Sequence, residues 1–584
     1  MADARMYTYS PRVFSLKDSS ALSCDGLVDT LLESAGVLTP EEKSKFLTAT
    51  YDDISDPLTM HGMSEAVMRT RTAIERGELI AIYGDYDADG ICSTAILADV
   101  FKYIEYPITT YLPHRHSEGY GFHIPAIDIL HARGVKLIIT VDVGIVAHNE
   151  VAYANSLGID VIITDHHTPH ETLPSAYAVV HPKLGTYADP MICGAGVAFQ
   201  LARALCNSFR NEVMTEIQKV PPEGWEKWLL DLVGIATVSD MVPLFHENRI
   251  FVRYGLMVLR KMRRPGLTAL LRQAGCAHDQ IAEDDIAFSI TPRINAASRM
   301  DHPELAFELL TAPDGVRAQE LAKTLGGKND DRKTEVARIM RQVHTRMETR
   351  SWGDVIVIGD PDWNAGVVGL VATKICEEYK VSSFVWSDGG GEDGVLRGSC
   401  RAYGAIDVHG LMQAAPANTF IQFGGHAGAG GFSVPRTTIH EVEGHLQNAY
   451  TQIYSEVEQE SISQIIDIDI SSGALSEKVF SVLRELAPFG FGFSRPLCAF
   501  HTEVISSKSF GTGNAHLEYT FTNGTKPFRA IAFYANPDEY TYSPKMGEKC
   551  ICIGVLEESF FRGKREQRLR IIDLLPVNYF STDI

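Results

Sequence analysis

The stretch AIYGDYDADGICSTAIL, residues 81–97, joins an apolar run to a second, helix-like run through three aspartates. Asp85, Asp87 and Asp89 stand at every second position directly after the first run. Neighbouring carboxylates repel one another, and burying each of them costs several kcal/mol unless a positive partner compensates. The spacing therefore indicates that these side chains face a positively charged group.

The segment from residue 79 to about residue 310 alternates short β-rich runs with helical stretches. The predicted strands are LIAIYGD (79–85), ITTYLPH (108–114), KLIITVD (136–142) and VIITDHH (161–167). The predicted helices between them are STAILADVFKYI (93–104), AIDILHARG (126–134) and HNEVAYANSLG (148–158). Such alternation is typical of an α/β domain with a parallel sheet and crossover helices.

Acidic and histidine side chains follow several of these strands. In open parallel sheets, ligands bind beyond the carboxyl ends of the strands, so the side chains there should converge. Asp240, in GIATVSDMVPL (234–244), follows an apolar helical stretch and is a further acid of this kind. Carboxylates with imidazole suit Mn²⁺ or Mg²⁺ better than Zn²⁺ or Fe²⁺ when no thiolate joins them. We therefore predict a divalent metal site with the direct ligands Asp85, Asp87, Asp142, His166 and Asp240.

Single members of this set have a simpler explanation. A lone aspartate after a strand commonly caps a helix or closes a turn, which would account for Asp142 or Asp240 taken singly. Capping does not explain an alternating triplet together with a DHH triplet on the next strands. Alternate side chains of an extended chain cannot all point into one site, so Asp89 and Asp165 are predicted either to bind metal or to orient the ligands.

A chain of 584 residues is too long for one core, so several domains are expected. Apolar residues at a spacing of three to four predict a long connecting helix over 313–350, which Gly326 and Gly327 could interrupt. From about residue 460, short strands at regular spacing predict a small barrel or sandwich, with an OB-like barrel among the candidates. The predicted parts are a lead-in (1–75), an α/β domain (76–312), the connecting helix (313–350), a second α/β lobe (351–458) and an OB-like β-rich domain (459–584).

Charge and composition limit the function classes. The net charge of −21 argues against a general nucleic-acid coat protein but allows an enzyme with a local basic channel. The ten cysteines include no CxxC pair, which favours reduced, buried thiols. No apolar run approaches the ~18 residues of a membrane span, and the N-terminus lacks the pattern of a secretory signal. We therefore expect a cytoplasmic location.

Four segments occur in the order in which the DHH phosphoesterase superfamily carries its metal motifs. They are DYDADG (85–90), VDVG (141–144), TDHH (164–167) and SDMVP (239–243). The chain resembles the RecJ family of this superfamily more closely, over roughly residues 75–580. The segments that carry this resemblance are RHSEGYG (115–121), GAGVAFQL (194–201), ENR (247–249), TPRINAASRM (291–300), WNAGVVGLVA (363–372), GSCRA (398–402), FGGHAGAGG (423–431) and LAPFGFG (486–492).

The resemblance implies a DHH catalytic domain, a DHHA1-like second lobe and an OB-like C-terminal domain. It implies a metal-dependent exonuclease that degrades single-stranded DNA 5′→3′ to mononucleotides in DNA repair and recombination. Two bound Mn²⁺ or Mg²⁺ ions would activate a water molecule and neutralise charge on the phosphate. His167 would lie near the scissile phosphate, with Asp165 and Asp89 as further catalytic residues. The implied partners are single-stranded DNA and a single-strand-binding protein or helicase.

The glycine-rich segment GGHAGAGG (424–431) is the second candidate site. Glycines let backbone N–H groups approach a phosphate closely, so this segment could hold a terminal 5′-phosphate or nucleotide; the alternative is a turn that packs two strands. Arg115 and Tyr120 could grip the DNA backbone or stack on a base, although SEGYG could equally be a plain turn. The predicted substrate-binding residues are Arg115, Tyr120, Arg299, Arg401, Gly424, Gly425 and His426.

Two other functions compete with the exonuclease. A smaller DHH enzyme would cleave short oligonucleotides, cyclic dinucleotides or pyrophosphate, but such enzymes are typically shorter and lack a C-terminal β-rich domain. A non-catalytic RecJ-like scaffold would have lost metal ligands, whereas every ligand position is filled here. One departure from the family pattern is that Asn364 and Ala365 follow Trp363, where relatives usually carry His, often followed by Pro.

Overall fold

The computed structural model describes residues 8–11, 24–211, 214–276, 278–389, 394–454, 463–470, 477–511, 513, 515–522, 527–533, 535–537, 540–561 and 564–581. The chain forms two compact units. The larger comprises Asp53–Val242 and Glu247–Glu458, and the smaller comprises Met1–Asp52, Pro243–His246 and Gln459–Ile584.

The strands within the described residues are numbered in chain order. They are β1 (Thr8–Pro11), β2 (Leu79–Gly84), β3 (Ile108–Tyr111), β4 (Val135–Val141), β5 (Asp160–Thr164), β6 (Ala178–Val180), β7 (Val355–Gly359), β8 (Ser382–Ser387), β9 (Val395–Arg401), β10 (Gln422–His426), β11 (Ala429–Pro435), β12 (Ser463–Ile466), β13 (Ile468–Ile470), β14 (Leu497–Phe510), β15 (His516–Thr522), β16 (Phe528–Phe533), β17 (Lys549–Phe561) and β18 (Lys564–Pro576).

The helices are numbered in the same way, and a π-helix (Ile286–Ile290) lies between α11 and α12. They are α1 (Cys24–Ser34), α2 (Pro40–Thr48), α3 (Met63–Glu75), α4 (Ala88–Tyr103), α5 (Ile124–Ala132), α6 (His148–Ser156), α7 (Gly194–Asn211), α8 (Leu230–Ser239), α9 (His246–Leu259), α10 (Pro265–Ala274), α11 (Glu283–Asp285), α12 (Thr291–Met300), α13 (Glu304–Leu310), α14 (Gly315–Met347), α15 (Val368–Tyr379), α16 (Val408–Ala414), α17 (Ile439–Tyr454) and α18 (Glu477–Leu486).

A five-stranded parallel sheet in the order β3-β2-β4-β5-β6 begins the larger unit. In β4, every residue except Lys136 is buried, which is the pattern of a parallel strand covered by helices on both faces. The four predicted strands correspond to β2–β5, and the predicted α/β class is confirmed. The three-residue β6 was not predicted, because so short a run carries no periodicity of its own.

Helix α14, with 33 residues, occupies the predicted connecting segment. It packs on α10, α12 and α13, and further along on α15 of the second lobe. Gly326 and Gly327 do not interrupt it. A side chain at Gly326 would meet Gln273 of α10, so this glycine allows two helices to approach closely.

The second lobe of the larger unit is built on a mixed sheet in the order β10-β11-β9-β8-β7. Only β7 and β8 pair in parallel; the other neighbours are antiparallel. The glycine-rich segment forms the hairpin of β10 and β11, at the edge of this sheet.

The smaller unit contains a closed β-barrel, as predicted for the C-terminal part. The pairing runs β14-β15-β16-β18-β17, and β17 pairs back to β14. Five strands that close on themselves match the OB architecture. Phe500 and Phe521 are buried in its core.

The lead-in predicted over residues 1–75 is shared between the two units. Strand β1 pairs in parallel with β12, so that Tyr9 lies opposite Gln464. A partner more than 450 positions away leaves no local pattern in the sequence. Within the described part of the chain, no helix has both the length and the apolar character needed to cross a membrane.

Candidate metal centre and arginine cluster

The carboxyl ends of β2, β4 and β5 meet at one edge of the parallel sheet. Register pairs Gly84 with Val141, and Val141 with Thr164, so the three strands end side by side. The residue that follows each strand is an aspartate: Asp85, Asp142 and Asp165. The parallel topology therefore brings together acids that are up to 80 positions apart in the sequence.

Asp85, Asp87 and Asp142 form one group of possible ligands, with oxygen atoms within 4.8 Å of one another. The extended chain ends at Asp87, because α4 begins at the next residue. Asp87 caps this helix: its Oδ1 accepts hydrogen bonds from the N–H groups of Asp89 at 2.9 Å and Gly90 at 3.1 Å. Gly90 is required here, since a Cβ would lie 2.6 Å from the backbone of Asp85.

His166 is the centre of the remaining ligand groups. Its Nε2 lies 3.2 Å from Oδ1 of Asp142, 3.7 Å from Oδ2 of Asp240 and 3.8 Å from Oδ2 of Asp89. Burial, assisted by neighbouring His167, lowers the pKa of His166 to about 3, so the imidazole is neutral at neutral pH. Metal ions bind neutral histidine, so this imidazole nitrogen and the surrounding carboxylate oxygens together suit a divalent cation.

Several atoms of the cluster are buried without a hydrogen-bond partner. They are Oδ1 of Asp85, Oδ1 of Asp142 and Nε2 of His166. Burial, together with the neighbouring aspartates, raises the pKa of Asp85 and Asp142 well above the usual range and that of Asp240 to about 8. Unpartnered buried acceptors are rare in folded proteins, and these fit the hard-oxygen and imidazole ligand set of a divalent cation.

The backbone holds Asp142 in an uncommon conformation. Its φ is +61°, in the left-handed region that non-glycine residues seldom adopt. The N–H of Asp142 donates to the carbonyl of Thr164 at 2.9 Å, which ties the turn to the neighbouring strand. Such a conformation persists where the surrounding structure enforces it, as at functional sites.

Asp89 and Asp165, which the sequence predicted either to bind metal or to orient the ligands, have different environments. Asp89 accepts hydrogen bonds from the N–H groups of Gly194 and Ala195, both at 2.7 Å, at the first turn of α7. Asp89 also belongs to a possible ligand group with His166 and Asp240. The sequence predicted that Asp85, Asp87 and Asp89 alternate along an extended chain. This prediction is wrong for Asp89, which lies on the first turn of α4.

Asp165 is fully buried, and both of its oxygens are engaged within the protein. Oδ2 accepts from the N–H of Ile145 at 2.9 Å, and Oδ1 accepts from the N–H groups of His166 and His167. Oδ1 also lies 2.7 Å from Nδ1 of His167. Although burial alone would raise its pKa, the hydrogen bond from His167 lowers it, so Asp165 is a carboxylate that orients the histidine.

His167 is a protonated imidazole in this environment. Burial alone would lower its pKa, but the hydrogen bond to Asp165 raises it to about 9. The hydroxyl of Tyr120, whose residue is 46% exposed, lies 3.3 Å from Nδ1 of His167. Tyr120 is therefore next to the metal centre, and its contact with substrate stays a prediction.

Sequence reasoning missed several residues that hold this centre in place. The N–H groups of Gly194 and Ala195 hold Asp89. Nε2 of His181 lies 2.8 Å from the carbonyl of His167. Nζ of Lys183 donates to the carbonyl of His166 at 2.6 Å. Oδ1 of Asn295 accepts from the N–H of Ala88 at the start of α4. GAGVAFQL and TPRINAASRM, quoted above as family segments, contain the glycine and the asparagine, but their contacts depend on the tertiary structure.

A cluster of arginines adjoins the metal centre. Burial, together with Arg115, Arg332 and Arg401, lowers the pKa of Arg299 to about 9. Burial and Arg115 lower the pKa of Arg401, and Arg115 lies close enough to limit the rise in the pKa of Asp85. Among the described residues, no carboxylate lies within 4.0 Å of the guanidinium groups of Arg115, Arg299 or Arg401. Three predicted substrate residues from separate segments are thus close enough for their charges to repel one another.

Within the described residues, the side-chain contacts of these arginines leave most of their N–H donors available for a ligand. Arg115 stacks on Tyr86, with 4.7 Å between its Cζ and the ring centroid. Nη1 of Arg299 donates to the carbonyl of Gly366 at 3.0 Å, and Nη1 of Arg401 donates to the carbonyl of Cys400 at 2.7 Å. A planar fork with several free N–H groups suits a phosphate oxygen pair.

Gly424, Gly425 and His426 lie on exposed edge strand β10. His426 pairs with Ala429, and Ala429 pairs with Arg401 on β9. Directly opposite residues of antiparallel strands share a face, so His426 and Arg401 lie in one cross-strand row, about 10 Å apart at their backbones. The segment is also a hairpin of two strands, as the simpler interpretation predicted, and its contact with a 5′-phosphate stays a prediction.

Family models match most of the chain. The DHH family, N-terminal domain, matches residues 79–237, the DHHA1 domain matches 353–461 and the RecJ OB domain matches 466–573. The metal centre lies within the first of these matches and its margin, and Arg401 and the glycine-rich hairpin lie within the second.

Curated relatives and solved structures agree with these matches. The single-stranded-DNA-specific exonuclease RecJ of Bacillus subtilis is 31% identical over 94% of this chain and 67% of that protein. The RecJ of Haemophilus influenzae is 30% identical over 92% of this chain and 94% of that protein. A crystal structure of Thermus thermophilus RecJ in complex with Mn²⁺ aligns with a TM-score of 0.76 and 26% identity, over 94% of this chain and 75% of that one. The chain belongs to the RecJ family of DHH phosphoesterases.

Proposed function

We propose that this protein is a metal-dependent exonuclease that degrades single-stranded DNA from its 5′ end and releases mononucleotides in DNA repair and recombination. The observation that carries the proposal is the metal centre of buried, unpartnered ligand atoms beside an arginine cluster without carboxylate partners. The curated relatives described above carry the name single-stranded-DNA-specific exonuclease, and the similar structure from Thermus thermophilus is a complex with Mn²⁺.

The residues that would hold two such ions are the five predicted ligands, with Asp89 as a sixth candidate. Bound Mn²⁺ or Mg²⁺ would supply a water nucleophile at neutral pH and neutralise charge on the phosphate oxygens. This chain's own residues fix the geometry: Asp87 is held by the N-terminus of α4, Asp142 by its turn, and Asp89 by the N-terminus of α7.

His167 is the residue proposed to assist the leaving group. Nδ1 of His167 is hydrogen-bonded to Oδ1 of Asp165, so Nε2 is the ring nitrogen that remains available to the substrate. From that atom an imidazole can donate a proton or a hydrogen bond to the oxygen that departs from phosphorus. Tyr120, adjacent to the same ring, is proposed to contact the sugar-phosphate backbone near the cleaved bond.

The arginine cluster is proposed to set the direction of digestion. An exonuclease must recognise an end, and a terminal 5′-phosphate carries more negative charge than an internal phosphodiester. Arg115, Arg299 and Arg401 would hold that phosphate at a fixed distance from the metal centre. His426 and the backbone of Gly424 and Gly425 would extend the contact along the edge of the second lobe.

The test of the function is a degradation assay. A 5′-phosphorylated single strand, the matching blunt duplex and a cyclic dinucleotide are incubated with the protein in chelator, Mn²⁺ and Mg²⁺. The proposal expects mononucleotides released from the 5′ end of the single strand only, and only with metal. Equal rates on duplex and single strand, or preferred cleavage of the cyclic dinucleotide, would refute it in favour of the small-substrate enzyme.

A second arm tests the end-recognition role. Arg401→Ala and His426→Ala should raise KM for the 5′-phosphorylated strand more than they lower kcat, because these contacts are remote from the reacting bond. Compared with the wild type, both variants should also lose preference for 5′-phosphate over 5′-hydroxyl ends. Unchanged preference would leave the glycine-rich segment as a packing hairpin and place end recognition elsewhere.

The finer expectations for partners and location follow from this activity. A single-strand-binding protein or a helicase would supply the unpaired strand that the enzyme needs, and the cytoplasm is the proposed site of action. Nine of the ten cysteines have described side chains; all nine are free, and eight of them are buried, as reduced thiols would be.

A further inference from the structure

Helix α12 carries polar side chains at every fourth position: Thr291, Asn295 and Arg299. Residues four apart on an α-helix lie on one face, so these three form a single row, called here the α12 row. Each member contacts a different part of the functional region: the end of α8, the start of α4 and the second lobe. One face of one helix therefore reaches both the metal centre and the arginine cluster.

Asn295 completes the hydrogen bonding at the start of α4. The N–H groups in the first turn of a helix have no partner within the helix. Oδ1 of Asp87 accepts from the second and third of these residues. Oδ1 of Asn295 accepts from the first, the N–H of Ala88, at 2.9 Å. Asn295 thus fixes the peptide between the candidate ligands Asp87 and Asp89 without occupying an oxygen of either.

Thr291 makes a comparable contact beside Asp240, the residue that directly follows α8. The hydroxyl of Ser239, the last residue of α8, donates to the carbonyl of Ile235 at 2.6 Å, so its single proton is used. The hydroxyl of Thr291, 2.5 Å from Oγ of Ser239, therefore donates to it. The end of α8, from which the Asp240 side chain extends to the metal centre, is tied to α12 in this way.

Arg299 connects the same face of α12 with the arginine cluster and the second lobe. Its Nη1 donates to the carbonyl of Gly366, in the turn before α15, at 3.0 Å. Its own carbonyl lies 3.1 Å from Nε2 of His116, the residue that follows Arg115. Direct contacts therefore link α12 to the segment of Arg115 and to the second lobe, one helical turn from the contact at α4.

We propose that Asn295 and Thr291 are positioning residues of the metal centre, and that the α12 row holds this centre and the arginine cluster on one rigid element. The inference rests on the proposed function and deepens it, because it assigns residues that orient the metal ligands but touch neither metal nor strand. Removing such partners typically costs about 10- to 100-fold in metal affinity or activity. Asn295 and Thr291 should therefore affect metal binding and kcat, whereas Arg299 should affect KM.

The first experiment measures Mn²⁺ binding to the full chain without DNA, from the electron paramagnetic resonance signal of free Mn²⁺. Asn295→Ala should weaken binding about tenfold, since the peptide between Asp87 and Asp89 loses its acceptor. Asn295→Asp keeps an acceptor oxygen at the same length, so it should bind Mn²⁺ more tightly than Asn295→Ala. Thr291→Val should weaken binding through Asp240, and Thr291→Ser, which keeps the hydroxyl, should restore it.

The matched control is Ser298→Ala, because the buried hydroxyl of Ser298 bonds within α12 itself, to the carbonyl of Asn295 at 3.3 Å. This variant should bind Mn²⁺ as the wild type does. The second experiment measures hydrolysis of a 5′-phosphorylated single strand. Asn295→Ala should lower kcat and leave KM and the preference for 5′-phosphate over 5′-hydroxyl ends unchanged. Arg299→Gln should raise KM and leave Mn²⁺ binding unchanged.

Wild-type Mn²⁺ binding by Asn295→Ala would overturn the positioning role, and so would a loss that Asn295→Asp shares in full. Joint changes in Mn²⁺ binding, KM and the thermal midpoint in chelator would also overturn it, because they would mark Asn295 as a residue of general stability. If Asn295→Ala does not fold, Thr291→Val, which keeps the shape of the side chain, provides the same test.

Failure of the proposed function is distinguishable from failure of this inference. A wild type that releases no mononucleotide with metal would fail the degradation assay, whereas Mn²⁺ binding without DNA would still test Asn295 and Thr291.

Discussion

A substitution next to the metal centre, Gly194→Ala, tests whether the positions of the ligands depend on α7. A Cβ on Gly194 would lie 2.6 Å from Oδ1 of Asp142 and 2.7 Å from its Cβ, whereas ordinary contacts begin at 3.4 Å. The Asp142 side chain would thus have to move by about 0.8 Å, since its turn is held by the neighbouring strand. A shift of about 1 Å at a reacting centre can cost about a hundredfold in rate.

We therefore expect kcat/KM for the 5′-phosphorylated strand to fall about a hundredfold, which corresponds to about 2.7 kcal/mol of transition-state stabilisation. The apparent Mn²⁺ requirement should rise in the same titration. Alanine has the higher helix propensity, so the thermal midpoint should not show general unfolding.

The matched control is Gly444→Ala in α17, where a Cβ meets nothing within 4 Å. It should keep full activity and gain a few tenths of a kcal/mol to about 1 kcal/mol in stability. The reasoning would be refuted if Gly194→Ala kept its activity within threefold of the wild type at an unchanged Mn²⁺ requirement. Helix α7, and not the Asp142 side chain, would then have moved to make room for the added Cβ.

Further predictions concern the ligands, the arginines and the barrel. Asp142→Ala should abolish hydrolysis while the circular dichroism spectrum stays folded, and full activity would contradict its assignment as a metal ligand. Chelation of the wild type should stop hydrolysis, and added Mn²⁺ or Mg²⁺ should restore it; hydrolysis that continues in excess chelator would argue against the metal centre. Gly366→Ala, whose Cβ would lie 2.1 Å from the carbonyl of Arg299, should raise KM for 5′-phosphorylated strands, and an unchanged KM would separate Arg299 from end recognition. Phe500→Ala in the barrel core should cost about 3–5 kcal/mol in the free energy of unfolding, measured by denaturant titration, and a loss below about 1 kcal/mol would mean that the barrel repacks.

The sequence predicted the strands β2–β5 and the edge at which their acids meet, because local alternation and parallel topology are enough to align strand ends. It also predicted the long helix and the C-terminal barrel, whose periodicities are local. It left the roles of Asp89 and Asp165 open between metal binding and orientation of the ligands, since these roles depend on the groups that surround each side chain in the fold. Asp165 proved to be surrounded by donors from its own loop and from Ile145, and Asp89 by the N-terminus of α7.

Only the tertiary structure decided the features that depend on distant pairs. Arg115, Arg299 and Arg401 come from three segments nearly 300 positions apart, and each alone is an ordinary surface-type arginine. Their proposed role in end recognition depends on the fold, which brings their charges close enough to lower the pKa of Arg299 and Arg401 and places no carboxylate of the described residues within 4.0 Å of them. Likewise, β1 joins β12 through backbone hydrogen bonds that do not depend on side-chain identity. A sequence records which groups are available, whereas long-range packing determines which of them remain unpartnered, and unpartnered buried charge is what binds metal and phosphate.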